Sequence, residues 1–296
     1  MSNAFLYVTT VLIWGSTWFA IEFQLGEVPP EVSVVYRYVM ASAILFIWCK
    51  YKGLSLKFEV KTHFWFAALG LLLFCLNYIM TYRAQVHITS ALAAIVFSSM
   101  LWMNLGLARM IFGTRSAPRV ILGACLGIVG IVVIFAPQVE EVTLTDGVFY
   151  GMTLALLGAF SASCGNMVSQ AAQKRRLPVV ESNTWGMFYG ALITASVALA
   201  TGQTFNFDAT FTYIVSLAYL ALFGSVVAFG AYLTLLGRIG AHKAGYATVM
   251  FPVVALLLSM AFEGLRLDAS IVGGTTLVLL GNIPVSYTHL RAHETN

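Results

Sequence analysis

An acidic and aromatic face is present in the first apolar segment. Trp14, Trp18 and Glu22 are spaced four residues apart, so on a helix they share one face. A carboxylate one turn beyond two indoles could hold a proton or a substrate ammonium, and the rings would add cation–π attraction. The spacing is also typical of interfacial tryptophans followed by a water-facing glutamate. Glu22 is therefore a candidate for a structural or coupling role, and both interpretations stay open.

Arg37 is a basic residue inside an apolar segment, since it interrupts residues 32–49. A charge in the hydrocarbon region is unfavourable unless it is paired or solvated, so Arg37 marks either a function or a structural ion pair. Glu31 and Glu22 are near enough in sequence to supply a carboxylate, and helix-end carbonyls are the alternative partners. We expect Arg37 to be paired inside a helical bundle and not exposed to lipid.

Polar and aromatic side chains recur one helical turn apart in several apolar segments, for example Asn77 with Thr81. Polar groups facing lipid are unfavourable, so these faces are predicted to point inward. Interhelical hydrogen bonding explains any single face equally well, but several together predict a shared cavity for an amphipathic small molecule. The predicted substrate-binding residues are Trp14, Asn77, Tyr78, Tyr82, Ser98, Trp102, Asn166 and Tyr246.

No metal or cofactor site is expected. His63, His87 and His242 lie at the ends of apolar segments without a second ligand at metal spacing, and the four cysteines lie singly. A phosphate-binding GxxxxGK[ST] loop does not occur, so ATP is not expected to be the direct energy source. Ser98 and Ser161 have no histidine at mid-segment depth to act as a base, so we expect no enzymatic activity.

The composition requires a membrane around these segments. Hydrophobic residues make up 59% of the 296 residues and charged residues 9%, whereas soluble domains carry about 25% charged residues. Too little polar surface remains to cover a water-soluble globule. The chain is therefore predicted to be a polytopic protein of the lipid bilayer, which excludes a soluble enzyme, a nucleic-acid-binding module and a secreted disulfide scaffold.

Runs without Asp, Glu, Lys or Arg predict the membrane spans. A spanning helix needs about 20 residues, and the runs do not alternate as the strands of a membrane barrel would. They predict an all-α integral membrane protein with ten transmembrane helices, in residues 1–21, 32–49, 62–82, 84–108, 120–139, 147–173, 182–207, 209–237, 244–262 and 269–290.

Loop charges predict the orientation of these spans. Loops after odd-numbered spans hold Arg83 and Arg266 among mostly acidic residues, whereas basic residues concentrate in the even-numbered loops. By the positive-inside rule, the even loops and both termini are expected to be cytoplasmic, in an inner membrane. The even-loop basic residues are Lys50, Lys52, Lys57, Lys61, Arg109, Arg115, Arg119, Lys174, Arg175, Arg176, Arg238 and Lys243.

An internal duplication is indicated by glycine positions. An offset of 151 residues aligns Gly123 with Gly274 and Gly130 with Gly281. Five spans per copy is an odd number, so the second copy must be inverted, as is typical of transporters. The predicted division is a first five-helix repeat in 1–139, a second in 140–285 and a non-native tail in 286–296, which turns abruptly polar (SYTHLRAHETN) and is set aside.

Four motifs carry a family resemblance: LIWGSTWFAIEF, VVYRYVMAS, LNYIMTYRAQVHITSALAAIVFSSM and GACLGIVGIVVIFAP, in order along spans one to five. Together they resemble the EamA branch of the drug/metabolite transporter superfamily over residues 4–285. The resemblance implies a ten-helix, inverted-repeat exporter of small metabolites such as amino acids. The chain departs from the family in having Phe188 at the position that corresponds to Arg37, and in ending span four with FGTR where many members have an acidic residue.

The function expected from these observations is export of a small, amphipathic metabolite by a secondary transporter, in which two halves rock around a central cavity. We expect a monomer, and proton coupling is one energy source consistent with the sequence. Multidrug or cation efflux through an acidic residue is the alternative within transport. A channel would require a charged ring or filter motif, which the sequence lacks.

Overall fold

The computed structural model describes residues 1–140, 145–262 and 269–291. These residues form α-helices interrupted by two π-helical segments, Gly70–Leu76 and Leu220–Val227. The α-helices are α1 (Asn3–Glu22), α2 (Pro30–Tyr51), α3 (Val60–Leu69), α4 (Asn77–Gln85), α5 (Ser90–Phe97), α6 (Met100–Phe112), α7 (Pro118–Glu140), α8 (Asp146–Lys174), α9 (Val179–Ala200), α10 (Phe211–Tyr219), α11 (Ala228–Ile239), α12 (Ala241–Ala244), α13 (Tyr246–Phe262) and α14 (Ala269–Arg291).

Several predicted features fall outside the described residues. They include the expected outer-loop charges Glu141, Glu263, Arg266 and Asp268, and the last residues of the expected tail, 292–296. Helix α14 extends to Arg291 and so includes the first residues of that tail.

Polar residues next to the apolar runs determine where several helices begin. The side-chain oxygens of Ser2, Thr145 and Thr210 accept hydrogen bonds from backbone N–H groups in the first turns of α1, α8 and α10. Each bond satisfies a donor that has no partner within its helix. At the other end of α6, Gly113 adopts the left-handed conformation that ends the helix.

Several apolar helices are long enough to cross a bilayer. Among the described residues, six continuous helical segments reach the required length and hydropathy, some of them made of two labelled helices in succession. Two further apolar helices are shorter and comprise Pro118–Ile134 and Ala269–Gly281. Large apolar side chains such as Leu12, Ile47 and Phe64 are exposed on the outside of the bundle. An apolar exterior of this kind fits a lipid environment, so the fold is that of an all-α, multi-pass membrane protein.

Glycines allow two helix pairs to approach closely. Helices α7 and α14 pack along each other, and a Cβ atom added to Gly274 would lie 2.5 Å from the carbonyl oxygen of Gly130. In the pair formed by α2 and α9, helix α9 also contacts the first π segment, where a Cβ on Gly70 would lie 2.7 Å from the carbonyl oxygen of Gly186. These contacts place backbone against backbone, as small residues do between membrane helices.

Candidate functional site

A cavity lies between helices from both halves of the chain. The volume that water can occupy in this cavity is about 50 Å³. In this conformation the cavity has room for a few water molecules or for one end of a small solute. The lining residues are Trp14, Thr17, Trp18, Ile21, Leu73, Asn77, Tyr78, Thr81, Phe97, Met100, Ala162, Asn166, Phe229, Tyr232 and Phe251.

Trp14 organises the aromatic wall of this cavity. Its ring centroid lies 4.7 Å from that of Phe229, 4.9 Å from that of Tyr232 and 5.8 Å from that of Phe251. Its indole Nε1 donates to the carbonyl oxygen of Gly224 at 3.0 Å. The hydrogen bond and the edge contacts hold the indole in one orientation, so the wall is preformed for an apolar group.

Asn166 provides a polar group in the cavity lining, next to Tyr232 of this wall. Its Nδ2 donates to the hydroxyl of Tyr232 at 3.0 Å and to Oδ1 of Asn104 at 3.3 Å. Its Oδ1 has no hydrogen-bond partner among the described residues, although the side chain is buried. A buried acceptor without a partner is costly, so this oxygen is suited to a donor group or a water molecule in the cavity.

Asn77 and Thr81 form a second polar patch on α4. The Nδ2 of Asn77 donates to the carbonyl oxygen of Leu73 at 3.2 Å, and the Thr81 hydroxyl donates to Oδ1 of Asn77 at 3.4 Å. Leu73 belongs to the first π segment. Irregular turns of this kind leave carbonyls available to side chains and occur often at functional sites.

Arg37 is fully buried next to the cavity wall, inside the bundle as the sequence predicts. Its Nε donates to the Ser225 hydroxyl at 2.9 Å, Nη1 to the Tyr82 hydroxyl at 3.4 Å and Nη2 to the Tyr78 hydroxyl at 3.3 Å. The Tyr78 ring lies beneath the guanidinium, with its centroid 4.4 Å from Cζ. Three neutral hydroxyls and a π face therefore solvate the charge.

The expectation that Glu31 or Glu22 supplies a carboxylate to Arg37 is wrong, because the partners of Arg37 are hydroxyl groups. Glu31 is buried and forms a salt bridge with Arg83, which begins the last turn of α4. Glu22 is exposed at the end of α1, whereas Trp14 and Trp18 on the same helix line the cavity. The three residues share one face of α1, but only the two tryptophans reach the cavity, and Glu22 lies at the surface.

The structure separates the eight predicted substrate-binding residues into two groups. Trp14, Asn77, Tyr78 and Asn166 line the cavity. The other four lie elsewhere. Tyr82 is buried behind the wall against Arg37, Ser98 donates to the carbonyl oxygen of Ile95, Trp102 is 39% exposed, and Tyr246 donates to the carbonyl oxygen of Val120.

Sequence reasoning missed Thr17, Phe97, Phe229, Tyr232 and Phe251. Thr17 could have been found, because it lies three residues after Trp14 on the same helical face. Phe229 and Tyr232 follow the second π segment within a run that has no charged residue. No polar periodicity distinguishes the inward face of that run.

A family model shows the family of this chain, and relatives of it are named as transporters. The model of the EamA-like transporter family matches residues 1–136 and 149–287. A protein of Escherichia coli (strain K12) named "Uncharacterized inner membrane transporter YedA" is 27% identical over 86% of this chain and 80% of its own length. A "Probable amino-acid metabolite efflux pump" of the same strain is 25% identical over 93% and 92% of the two chains.

A solved crystal structure has a similar fold. It superposes with a TM-score of 0.79 and covers 98% of both chains at 17% sequence identity. At this identity the likeness concerns the fold alone.

Proposed function

Since this chain belongs to the EamA-like transporter family, we propose that it is a secondary transporter that exports small amphipathic metabolites across the cytoplasmic membrane. The observation that carries the proposal is the cavity, which combines the aromatic wall around Trp14 with hydrogen-bonding groups on Asn77 and Asn166. Such a lining suits a solute with one apolar moiety and a few polar atoms. A relative named as an amino-acid metabolite efflux pump supports amino-acid-like solutes.

Transport would proceed by alternating access between two inverted repeats of five spans, 1–139 and 140–285. The offset of 151 residues carries α7 (Pro118–Glu140) onto α14 (Ala269–Arg291), and the first π segment onto the second within one residue. It also carries the contact of Gly130 with Gly274 onto the contact of Gly281 with Gly123. This correspondence supports an origin by duplication, with ten spans in the complete bundle.

The cavity lies where the two proposed repeats meet, because α1, α4 and α5 come from the first and α8, α11 and α13 from the second. Rocking of one repeat against the other would expose it to each side of the membrane in turn. The basic residues of the even loops support a cytoplasmic position for both termini.

Counterflow in proteoliposomes tests this proposal. Purified protein is reconstituted into vesicles loaded with unlabelled phenylalanine, and uptake of labelled phenylalanine is measured. Trp14→Ala is expected to lower the initial rate by about tenfold or more, because it removes the central aromatic contact of the site. Trp102→Ala is the matched control, since this tryptophan is partly exposed and lies away from the cavity.

Folded yield and monodispersity of both variants are checked before reconstitution. Equal counterflow in the two variants would contradict the assignment of the cavity. Absence of counterflow by the unmodified protein for every amino acid and apolar acid in a panel would contradict export of this solute class.

A further inference from the structure

The charge of Arg37 has no neutralising carboxylate in the described part of the chain. Its three nitrogens all donate to hydroxyl groups, and the salt bridge that the described residues form joins Arg83 to Glu31 instead. A guanidinium keeps its proton in proteins, so the positive charge is permanent. The side chain is 0% exposed, so water does not screen it.

Two of the residues that line the cavity lie close to this charge. The hydroxyl oxygen of Tyr78 accepts from Nη2 of Arg37, so its own proton is donated away from the guanidinium. Thr17 lies near the guanidinium, since a Cβ on Gly224 would lie 3.0 Å from both Nη2 of Arg37 and Cγ2 of Thr17. The charge therefore lies one side chain behind the wall.

The lining itself contributes no opposing charge. Its members are aromatic, aliphatic, thioether, amide or hydroxyl side chains, without an aspartate, glutamate, lysine or arginine. Arg37 is a buried formal charge in direct contact with a lining residue, Tyr78. In a low-dielectric interior such a charge favours an anion beside it and disfavours a cation.

We infer that the transported solute carries a carboxylate that binds against Tyr78, and that Arg37 sets the preference for carboxylates over amines. The substrate class is then an apolar monocarboxylate, with or without an amino group, and not an organic cation. This inference rests on the proposed transport function and adds the charge of the substrate to it. Arg37 acts as a specificity-determining residue through Tyr78, without lining the cavity itself.

Three probes of one shape separate the charges. Phenylalanine carries both groups, 3-phenylpropionate lacks the amine and 2-phenylethylamine lacks the carboxylate. Calorimetric titration of the purified protein at pH 7 is expected to give a dissociation constant for 3-phenylpropionate at least about tenfold lower than for 2-phenylethylamine. Counterflow with the same probes measures transport separately.

Variants of Arg37 test the cause of the preference. Arg37→Gln removes the charge and is expected to abolish the preference, whereas Arg37→Lys keeps the charge and should retain it. Arg109→Gln, at an exposed position of α6, makes the same change in net charge and should alter nothing. If Arg37→Gln does not fold, Tyr78→Phe removes the intervening hydroxyl and should reduce the preference while retaining the ring.

The outcomes distinguish this inference from the proposed function. Equal or tighter binding of 2-phenylethylamine by the unmodified protein overturns carboxylate selection but leaves transport standing if counterflow is observed. A preference that survives in Arg37→Gln, or in Tyr78→Phe where Arg37→Gln does not fold, overturns the role of Arg37. Absence of binding by all three probes, together with absence of counterflow for the whole panel of amino acids and apolar acids, overturns both the inference and the proposed function.

Discussion

At the scale of single residues, the polar groups around the cavity are held by neutral hydrogen bonds. Asn166 donates to Tyr232 and Asn104, and Arg37 donates to three hydroxyls. Each bond is worth little net free energy, but loss of one partner leaves a buried donor unpaired at a larger cost. The site is therefore sensitive to small polar substitutions.

Ser225→Ala is expected to destabilise the protein by about 1–3 kcal/mol, because Nε of Arg37 loses its acceptor in a buried position. The thermal unfolding temperature of the purified protein measures this change. Ser196→Ala is the matched control, since Ser196 is exposed and bonds within its own helix, and it should change stability by less than about 0.5 kcal/mol. Equal unfolding temperatures for the two variants would contradict the importance of the Ser225 contact.

The sequence predicted which side chains share a helical face but not what each face meets. Asn77 and Tyr78 line the cavity. Trp102 and Tyr246 also have a polar or aromatic neighbour one helical turn away in the sequence, but they lie away from the cavity. Helical periodicity defines a direction around one helix, and the neighbour in that direction depends on the packing of the whole bundle. The hydroxyl partners of Arg37 were unpredictable for the same reason, because Ser225 is distant in sequence.

At the scale of helices, close packing depends on glycines that face a neighbouring backbone. Gly273 and Gly274 are adjacent in α14 and differ in this respect. A Cβ on Gly274 would meet the backbone of α7, whereas a Cβ on Gly273 would meet nothing within 4 Å. The GxxxG spacing of Gly123 and Gly127 also corresponds to a close contact, with Gly281.

Gly274→Ala is therefore expected to destabilise the protein by about 1–3 kcal/mol through overpacking between α7 and α14. Gly273→Ala should be neutral or slightly stabilising, since alanine favours the helix and has open space there. Urea or thermal unfolding of the two purified variants measures the difference. Similar stability of both variants would show that the two helices separate without cost.

At the scale of the whole molecule, composition alone indicated the membrane environment and the helical class, because so few charged residues cannot cover a soluble globule. Charge in the loops predicted an orientation, which rests on the proposed ten spans. The helix neighbours within the bundle could not be predicted, because charge-free runs give the order of the spans but not which spans pack together. The pairing of α2 with α9 and of α7 with α14 appears only in the folded structure.

Cysteine labelling tests the proposed orientation. On intact cells, a membrane-impermeant maleimide should label Thr204→Cys, in the exposed connection between α9 and α10, but not Arg175→Cys, which follows α8. Glu141, in the connection expected to be outside after span five, lies outside the described residues. The unmodified protein is the control, because Cys125 is exposed on α7. The reverse labelling pattern would overturn the orientation.

The two π-helical segments bear on the order of evolutionary events in the proposed duplication. Under the proposed duplication, a segment of this type at equivalent positions of the two proposed repeats is inherited from the single ancestral repeat and predates the duplication. Arg37 has Phe188 as its counterpart, so this charge distinguishes one half from the other. The ancestral pair of identical halves would have bound a solute in either of two equivalent directions. A charge in one repeat makes these two binding directions unequal. Relatives with a π segment in only one half would count against this order of events.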